Sequence, residues 1–174
     1  MKKKVLVRGP LLSQSGYGNH ARQIVKWLLK REDLDVVTQV LHWGITPWHI
    51  DGSVEDGIIG EIMSRSITQM PKNIDISYQV QLPNEWDPNL AKLNVGVTAA
   101  VETDICTPEW VTACNRMTSV VVPSMFTKGT LERSGQCTTP ITVIPESYIP
   151  EINEDTPSLD IDFSTDFNFL LFGM

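Results

Sequence analysis

The amino-terminal part of the chain, residues 3–30, has the pattern of a strand, a glycine-containing loop and a helix. Residues 5–7 form a short apolar run, typical of a strand buried on both faces, and Gly9-Pro10 ends it. The loop spans residues 13–19, and a glycine loop that opens a helix presents free backbone N–H groups to an anion such as phosphate. The helix is indicated by an apolar stripe at helical spacing, formed by Ala21, Ile24, Val25, Leu28 and Leu29.

Residues 16–21 fit the pattern G-x-G-x-x-A of dinucleotide-binding proteins, but their context differs. In those proteins the pattern directly follows the first strand, and an acidic residue ends the second strand. Here seven residues separate Arg8 from Gly16, and Asp35 lies at the start of the predicted second strand. Three interpretations remain: a dinucleotide site, a turn that needs glycine only for its shape, and a site for another phosphate-bearing ligand.

The rest of the chain alternates between short apolar segments and helical patterns. Helix starts are predicted at Ser53, Thr107 and Ser124, which are N-cap residue types, and Pro108 supports the second of them. Such alternation is typical of an α/β fold, with a Rossmann-like parallel sheet and helices on both faces. After the first strand, further strands are predicted over residues 35–43, 74–80, 93–101, 119–122 and 141–144.

Length and charge suggest one domain followed by an acidic segment. The 174 residues suffice for one domain with a substantial core, which is predicted over residues 1–145. The net charge of −7 comes from residues 146–168, which hold seven acids and no Lys or Arg. The neutral remainder gives no bulk attraction for nucleic acid. Residues 146–166, which include Pro150 and Pro157, are interpreted as an acidic linker.

Cysteine content and hydropathy indicate a cytoplasmic protein. Cys106, Cys114 and Cys137 are odd in number and form no C-x-x-C pair, which is typical of free thiols in a reducing compartment. Zinc binding by these cysteines together with histidines is the less favoured alternative. No apolar stretch approaches the roughly 18 residues of a membrane span, and the apolar run after the first lysines is too short for a signal peptide.

Ligands of open parallel sheets bind at the carboxyl ends of the strands, and the loops predicted there carry residues suited to sugars. Aromatic rings stack on the C–H faces of sugars, while carboxylates, amides and hydroxyls bond to sugar hydroxyls. For each tryptophan the alternative is a half-buried core or lid residue, and for Glu102 it is a solvated or capping carboxylate. The candidates are Gly16, Tyr17, Gly18, Asn19, Trp43, Trp48, His49, Trp86, Glu102 and Ser124.

Two regions of the sequence resemble the first domain of family 4 glycosyltransferases, which are retaining, nucleotide-sugar-dependent enzymes of the GT-B architecture. Residues 5–30, VLVRGPLLSQSGYGNHARQIVKWLLK, are similar to the first strand, glycine loop and helix of that domain. The match runs the length of the chain and is densest over residues 1–30 and 95–145. The second region contains Glu102-Thr103, Pro108-Glu109-Trp110-Val111, Cys114-Asn115, Val121-Val122-Pro123-Ser124, Phe126-Thr127, Ser134-Gly135, Pro140-Ile141 and Val143-Ile144-Pro145.

The resemblance implies the acceptor-binding half of a glycosyltransferase that moves a sugar from a nucleotide-sugar to an acceptor hydroxyl. It implies a donor-diphosphate loop at residues 16–19 and a catalytic position at Glu102, near the reacting sugars. The nucleotide-sugar is then a co-substrate, and neither a metal nor a separate cofactor is implied. Acceptor contacts are expected from Trp43, Trp48, His49, Trp86 and Ser124.

The sequence departs from this family after residue 145. Glu146-Ser147-Tyr148 stands where the family usually has a short turn with glycine and aspartate. Residues 167–174 resemble the first strand of the second, donor-binding domain, whose paired glutamates have no counterpart here. We therefore expect residues 1–174 alone to lack that domain and to be inactive in transfer.

Two functions from other classes remain open. A Rossmann-type oxidoreductase would bind a nicotinamide dinucleotide at residues 16–21 with sub-millimolar affinity. A non-catalytic module would bind sugars without transferring them. Binding of a sugar or nucleotide-sugar, without nicotinamide binding, would argue against the oxidoreductase.

Overall fold

The computed structural model of the chain describes residues 2–147, 160–163 and 165–169. In these residues the strands are β1 (Lys3–Gly9), β2 (Leu34–Val40), β3 (Ile76–Val80), β4 (Leu93–Val97), β5 (Ser119–Val122) and β6 (Ile141–Val143). The helices are α1 (Gly16–Leu29), α2 (Ile58–Ser64), α3 (Pro108–Cys114), α4 (Met125–Arg133) and a short 3₁₀ helix (Pro83–Glu85).

The six strands form one sheet in the order β2-β1-β3-β4-β5-β6, and every neighbouring pair is parallel. The predicted α/β class with a Rossmann-like parallel sheet is confirmed. The order is that of a doubly wound sheet, because the chain first moves from β1 to one side and then crosses to the other side at β3.

The sheet is covered by helices on both faces, and each face has its own core cluster. Val5 and Val7 of β1 lie fully buried in a cluster with the apolar residues of α1 and α2. Val120 and Val122 of β5 lie in a second cluster with Leu131 of α4. Side chains along a strand point alternately to the two faces of the sheet. Val121 packs against the first cluster, so its neighbours Val120 and Val122, with the second cluster, lie on the opposite face.

β2 and β4 end several residues earlier than the sequence predicts, and β6 ends one residue earlier. β2 stops at Val40, which is in register with Gly9, the last residue of β1. Pro10 follows, and a proline offers no N–H group to continue the pairing. β4 stops at Val97, and Ala100 beyond it adopts a φ of 56°, which turns the chain out of an extended path.

Helix α2 begins later than predicted, and Ser53 is not its N-cap. Residues 52–57 form turns in which Glu55, Asp56 and Gly57 all have positive φ angles, so a helix cannot run through them. The N-cap of α2 is Gly57. The Ser53 hydroxyl instead donates a hydrogen bond to Asp51 Oδ1 at 2.7 Å.

The other two predicted helix starts are confirmed. Thr107 is the N-cap of α3, with Pro108 as the first helical residue, and its side chain accepts a bond from the Glu109 N–H. Ser124 is the N-cap of α4. At these two positions the type of the N-cap residue was therefore sufficient to predict the start of the helix.

Beyond residue 147 the structure describes two short stretches. Phe167 and Phe169 are exposed, belong to no strand, and form an edge-to-face pair with centroids 5.1 Å apart. The rest of the strand predicted over residues 167–174, and residues 148–159 of the predicted linker, lie outside the described residues. Among the described helices none has the length and apolar character needed to cross a membrane.

Candidate functional site

The strand order creates a topological switch point between β1 and β3. The chain leaves β1 toward one edge of the sheet and leaves β3 toward the other. In doubly wound sheets this opens a crevice at the carboxyl ends of the two strands, and ligands bind there. The loops after β1, β2, β4 and β5 surround this edge and carry most of the predicted site residues.

The predicted donor-diphosphate loop, residues 16–19, forms the first turn of α1. Ser15 is the N-cap, and its hydroxyl accepts a hydrogen bond from the Gly18 N–H at 3.1 Å. Within the described residues, the N–H groups of Gly16 and Tyr17 have no hydrogen-bond partner. This turn therefore keeps two donors at the positive end of the helix dipole.

The two glycines of this turn have different surroundings. A Cβ atom on Gly16 would meet no atom within 4 Å, so this residue borders open space, and Asn19 is also exposed. A Cβ atom on Gly18 would overlap the carbonyl oxygens of Ser13 and Pro10. Gly18 is therefore required by the close packing of α1 on the preceding loop, whatever ligand binds the turn.

Tyr17 connects three of the loops at this edge. Its hydroxyl oxygen is 2.9 Å from Thr98 Oγ1 and accepts a hydrogen bond from the Ala99 N–H at 3.1 Å, just beyond β4. Its ring stacks on that of Trp43, after β2, with the centroids 4.3 Å apart. Burial raises the pKa of the Tyr17 hydroxyl, so the group stays protonated and keeps these contacts at neutral pH.

The predicted acceptor residues after β2 pack on the loop that precedes α1. Trp48 pairs with Ser13 in an isolated antiparallel bridge, and its ring centroid is 4.7 Å from that of His42. The His49 N–H donates to a backbone carbonyl of the same loop at 2.8 Å. These contacts, and the stacking of Trp43 on Tyr17, place Trp43, Trp48 and His49 beside the predicted diphosphate turn. All three residues are half-buried.

Trp86 is buried in the hydrophobic core. Its side chain is 7% exposed and belongs to the cluster formed with α3 and α4. A Cβ atom on Gly96 would overlap its ring, so the ring lies directly on the middle of β4. The structure therefore corrects the position expected for Trp86 and agrees with the alternative of a core tryptophan.

A small cavity lies beside Trp86, between the 3₁₀ helix and α3. Its volume is about 100 Å³, and its wall includes Asn84, Glu109 and Arg116. Apart from Trp86, the predicted site residues do not line it. Pockets for drug-sized ligands usually enclose about 300–1,000 Å³, so this cavity is smaller than a typical ligand site.

Glu102 lies in the segment between β4 and α3, farther from the strand end than predicted. Because β4 ends at Val97, the carboxylate is carried by a bend beyond the sheet, where it is exposed. The positive φ of Ala100 immediately precedes this bend. Backbone conformations of this kind cost free energy and concentrate at ligand-binding segments.

Ser124 lies on the same edge, but its hydroxyl is engaged by the helix that it caps. The Thr127 N–H donates to Ser124 Oγ at 3.1 Å. The Thr127 hydroxyl also donates to the Ala99 carbonyl at 3.4 Å, which joins α4 to the segment that Tyr17 contacts. The loops after β1, β2, β4 and β5 are thus connected through Tyr17 and Ala99.

Two side chains that sequence patterns gave no reason to select also lie near this edge. Arg22 is 4% exposed, although it falls outside the apolar stripe of α1. His20 Nδ1 lies 3.1 Å from Glu146 Oε1, so α1 contacts the segment after β6. Burial lowers the pKa of His20, against the opposite effect of Glu146. The His20–Glu146 contact joins residues far apart in sequence, and Arg22 is buried although the helical pattern places it outside the apolar stripe; local periodicity predicts neither.

In the part of the chain that the structure describes, no three His, Cys, Asp or Glu side chains are grouped to hold a metal ion. Cys106, Cys114 and Cys137 are free. Burial raises the pKa of the Cys114 thiol to about 12, which keeps it protonated and unreactive. The groups that the carboxyl edge offers to a ligand are backbone N–H groups, hydroxyls, aromatic rings and the Glu102 carboxylate.

Comparisons with protein-family models, with curated proteins and with solved structures gave no match.

Proposed function

We propose that this domain binds a sugar acceptor at the carboxyl edge of its sheet, as the acceptor-side half of a retaining glycosyltransferase. The donor is a nucleotide-sugar, whose diphosphate lies at the first turn of α1. The transfer breaks the bond between the anomeric carbon and the phosphate oxygen of the donor. It forms a bond from that carbon to an acceptor hydroxyl oxygen on the same face of the sugar. The proton of that hydroxyl passes to the departing nucleoside diphosphate, which leaves as the second product.

The contacts of Tyr17 carry this proposal. This residue belongs to the first turn of α1, stacks on Trp43 and shares a hydrogen bond with Thr98 beyond β4. One side chain thus brings together an anion-favouring helix start, an aromatic loop and the segment that leads to Glu102. A transferase needs this combination, because it must hold a charged donor and a sugar acceptor side by side.

The residue roles follow from the chemistry of each group. The free N–H groups of Gly16 and Tyr17 would bind diphosphate oxygens, and the open space at Gly16 admits them. Trp43 and Trp48 would contact the C–H faces of the acceptor sugar. Glu102, an exposed carboxylate, would lie near the reacting groups and stabilise positive charge on the sugar in the transition state.

The spacing of the helix start favours this proposal over a dinucleotide-dependent oxidoreductase. In dinucleotide-binding proteins the glycine pattern directly follows the first strand, whereas here the helix begins at Gly16, six residues after Pro10. Strand order does not separate the two functions. Residues 65–67 pair in parallel with Thr38 at the outer edge of β2, and counting this segment as a strand gives the order 3-2-1-4-5-6 of dinucleotide-binding sheets.

The five tryptophans offer a direct test by NMR. We would label the indole groups with ¹⁵N and titrate the chain with a panel of methyl glycosides. The indole signals of Trp43 and Trp48 should shift in a saturable manner with at least one sugar. The signal of Trp86, which is buried in the core, serves as the internal reference and should stay in place.

Separate titrations with UDP-glucose, GDP-mannose and NADH distinguish the alternatives. Shifts of the Gly16 and Tyr17 amides with a nucleotide-sugar support the proposal. Saturation by NADH at sub-millimolar concentration, with no response of Trp43 or Trp48 to any sugar, would refute it. In a protein that joins this domain to a donor-binding domain, Glu102→Gln should abolish sugar transfer while the sugar-dependent shifts remain, which separates an enzyme from a non-catalytic module.

A further inference from the structure

A buried arginine lies directly behind the candidate site. The Arg22 guanidinium donates from Nη1 to the carbonyls of Leu11 and Ser13, at 3.2 and 2.9 Å. Its Nε donates to Glu55 Oε1 at 2.7 Å. The side chain is only 5% exposed, so its charge is compensated almost entirely by these groups.

Glu55 belongs to the turn between β2 and α2 and faces two cations of α1. Its second carboxylate oxygen lies 3.2 Å from Lys26 Nζ. Burial alone would raise the pKa of the Glu55 carboxyl, but Arg22 and Lys26 lower it overall, so it is ionised at neutral pH. The residue has a φ of 52°, a conformation that the surrounding contacts must hold in place.

These contacts connect the two loops whose residues are proposed to bind the donor and the acceptor. The loop between β1 and α1 supplies the carbonyls of Leu11 and Ser13, and the turn after β2 supplies Glu55. Ser13 is also the residue against which Gly18 packs, and its hydroxyl is 2.6 Å from Thr46 Oγ1. The Ser13 carbonyl is therefore fixed between the helix and the arginine.

We propose that Arg22 and Glu55 are positioning residues, which hold the β1–α1 loop and the β2–α2 turn in one mutual arrangement. The purpose of that arrangement, keeping the first turn of α1 at a set distance from Trp43 and Trp48, rests on the proposed function. The role of Arg22 and Glu55 in holding the two loops together does not depend on the proposed function. A guanidinium is suited to it, because its rigid fork bonds to two carbonyls and a carboxylate at the same time.

Amide hydrogen exchange tests the mechanical role without any ligand. The Gln14 N–H donates to the Pro47 carbonyl, and the Gly57 N–H donates to the Ser53 carbonyl, so both report on these loops. In Arg22→Lys and in Glu55→Gln, exchange at Gln14 and Gly57 should become at least about tenfold faster. Exchange within β4 and β5 should change far less.

Two conservative variants on the surface serve as matched controls. Arg31→Lys alters an exposed arginine at the end of α1 that pairs with Asp33, and Glu61→Gln alters an exposed carboxylate of α2 that pairs with Arg65. Neither should affect Gln14 or Gly57. If Arg22→Lys does not fold, Glu55→Gln decides alone, because it keeps the shape of the side chain. Unchanged exchange at both amides in a folded Glu55→Gln protein would overturn the proposal, as would equal acceleration throughout the sheet.

The methyl glycoside titration then tests the link to function. In Glu55→Gln, at a temperature where the variant is fully folded, the sugar that shifts Trp43 and Trp48 in the wild type should bind at least about threefold more weakly. Unchanged affinity beside faster exchange would overturn the link between the loops and the ligand. If no sugar binds the wild-type chain, the proposed function fails, whereas the exchange experiment still decides the positioning role.

Discussion

Trp43 and Trp86 each follow a strand at the same edge of the sheet, and the sequence gives both the same predicted role. The structure separates them. Trp43 is half-buried and stacks on Tyr17 at the carboxyl edge, in the region formed by the loops after β1 and β2. Trp86 lies within the core between the sheet and α3, with its ring on Gly96.

The different burial of the two tryptophans follows from the part of the fold that packs against each of them. The loop after β2 extends past the end of β1 and packs on another loop through Ser13 and Thr46. The segment after β3 meets a strand with no side chain at Gly96, and that space admits an indole ring. Trp86 therefore fills a space in the core, whereas Trp43 stays at the carboxyl edge of the sheet.

The largest expected effect is on stability and concerns Trp86 itself. Trp86→Ala should lower the free energy of unfolding by about 3–5 kcal/mol, because it leaves a cavity in the core. Trp43→Ala should lower it by only about 1–2 kcal/mol, since that side chain is partly exposed and does not fill the core. Urea denaturation of both variants measures the difference, and equal losses would contradict the separation of the two regions.

The packing of the first turn of α1 should produce the next effect. Gly18→Ala places a Cβ against the Ser13 carbonyl and should cost about 3 kcal/mol, since backbone must move. Gly16→Ala, two residues away and facing open space, should instead stabilise the protein by about 0.4–1 kcal/mol. Thermal unfolding of the two variants gives the comparison. A harmless Gly18→Ala would show that the Ser13 loop is free to yield.

A double-mutant cycle of Gly96 and Trp86 tests whether the indole ring occupies the space above the glycine. Gly96→Ala should cost about 1–3 kcal/mol, because the new methyl group overlaps the indole ring. In a Trp86→Leu background the same substitution should cost clearly less. Additive losses in the double-mutant cycle would mean that the two residues do not compete for the same space.

The smallest effect is a difference in pH dependence between the two regions. The pKa of Glu55 is lowered in the folded protein, so its stabilising contribution is present above its unfolded pKa of about 4.3. That contribution is lost as the pH falls through the folded pKa. The stability difference between wild type and Glu55→Gln should therefore shrink on acidification. The difference produced by Trp86→Leu should stay constant, and denaturation at pH 7 and pH 3 compares them.

The sequence predicted the class of the fold and several local details. The bounds of β5, and the caps Thr107 and Ser124, were obtained because they depend on neighbours in sequence. The ends of β2 and β4 were placed too late. β2 ends where β1 ends, and β4 ends shortly before the turn at Ala100. Periodicity within one segment contains no information about a neighbouring strand or about a later turn.

By itself, the sequence determined that strands and helices alternate, where two helices begin, and which loops carry aromatic and acidic residues. Tertiary structure decided which of those residues share a site. In the folded protein Tyr17 contacts Trp43 and Thr98. Trp86 is buried in the core, and Arg22 is buried behind the candidate site. The reason is that a side chain's availability depends on the space and the hydrogen-bond partners supplied by residues distant in sequence, and these come together only when the sheet has formed.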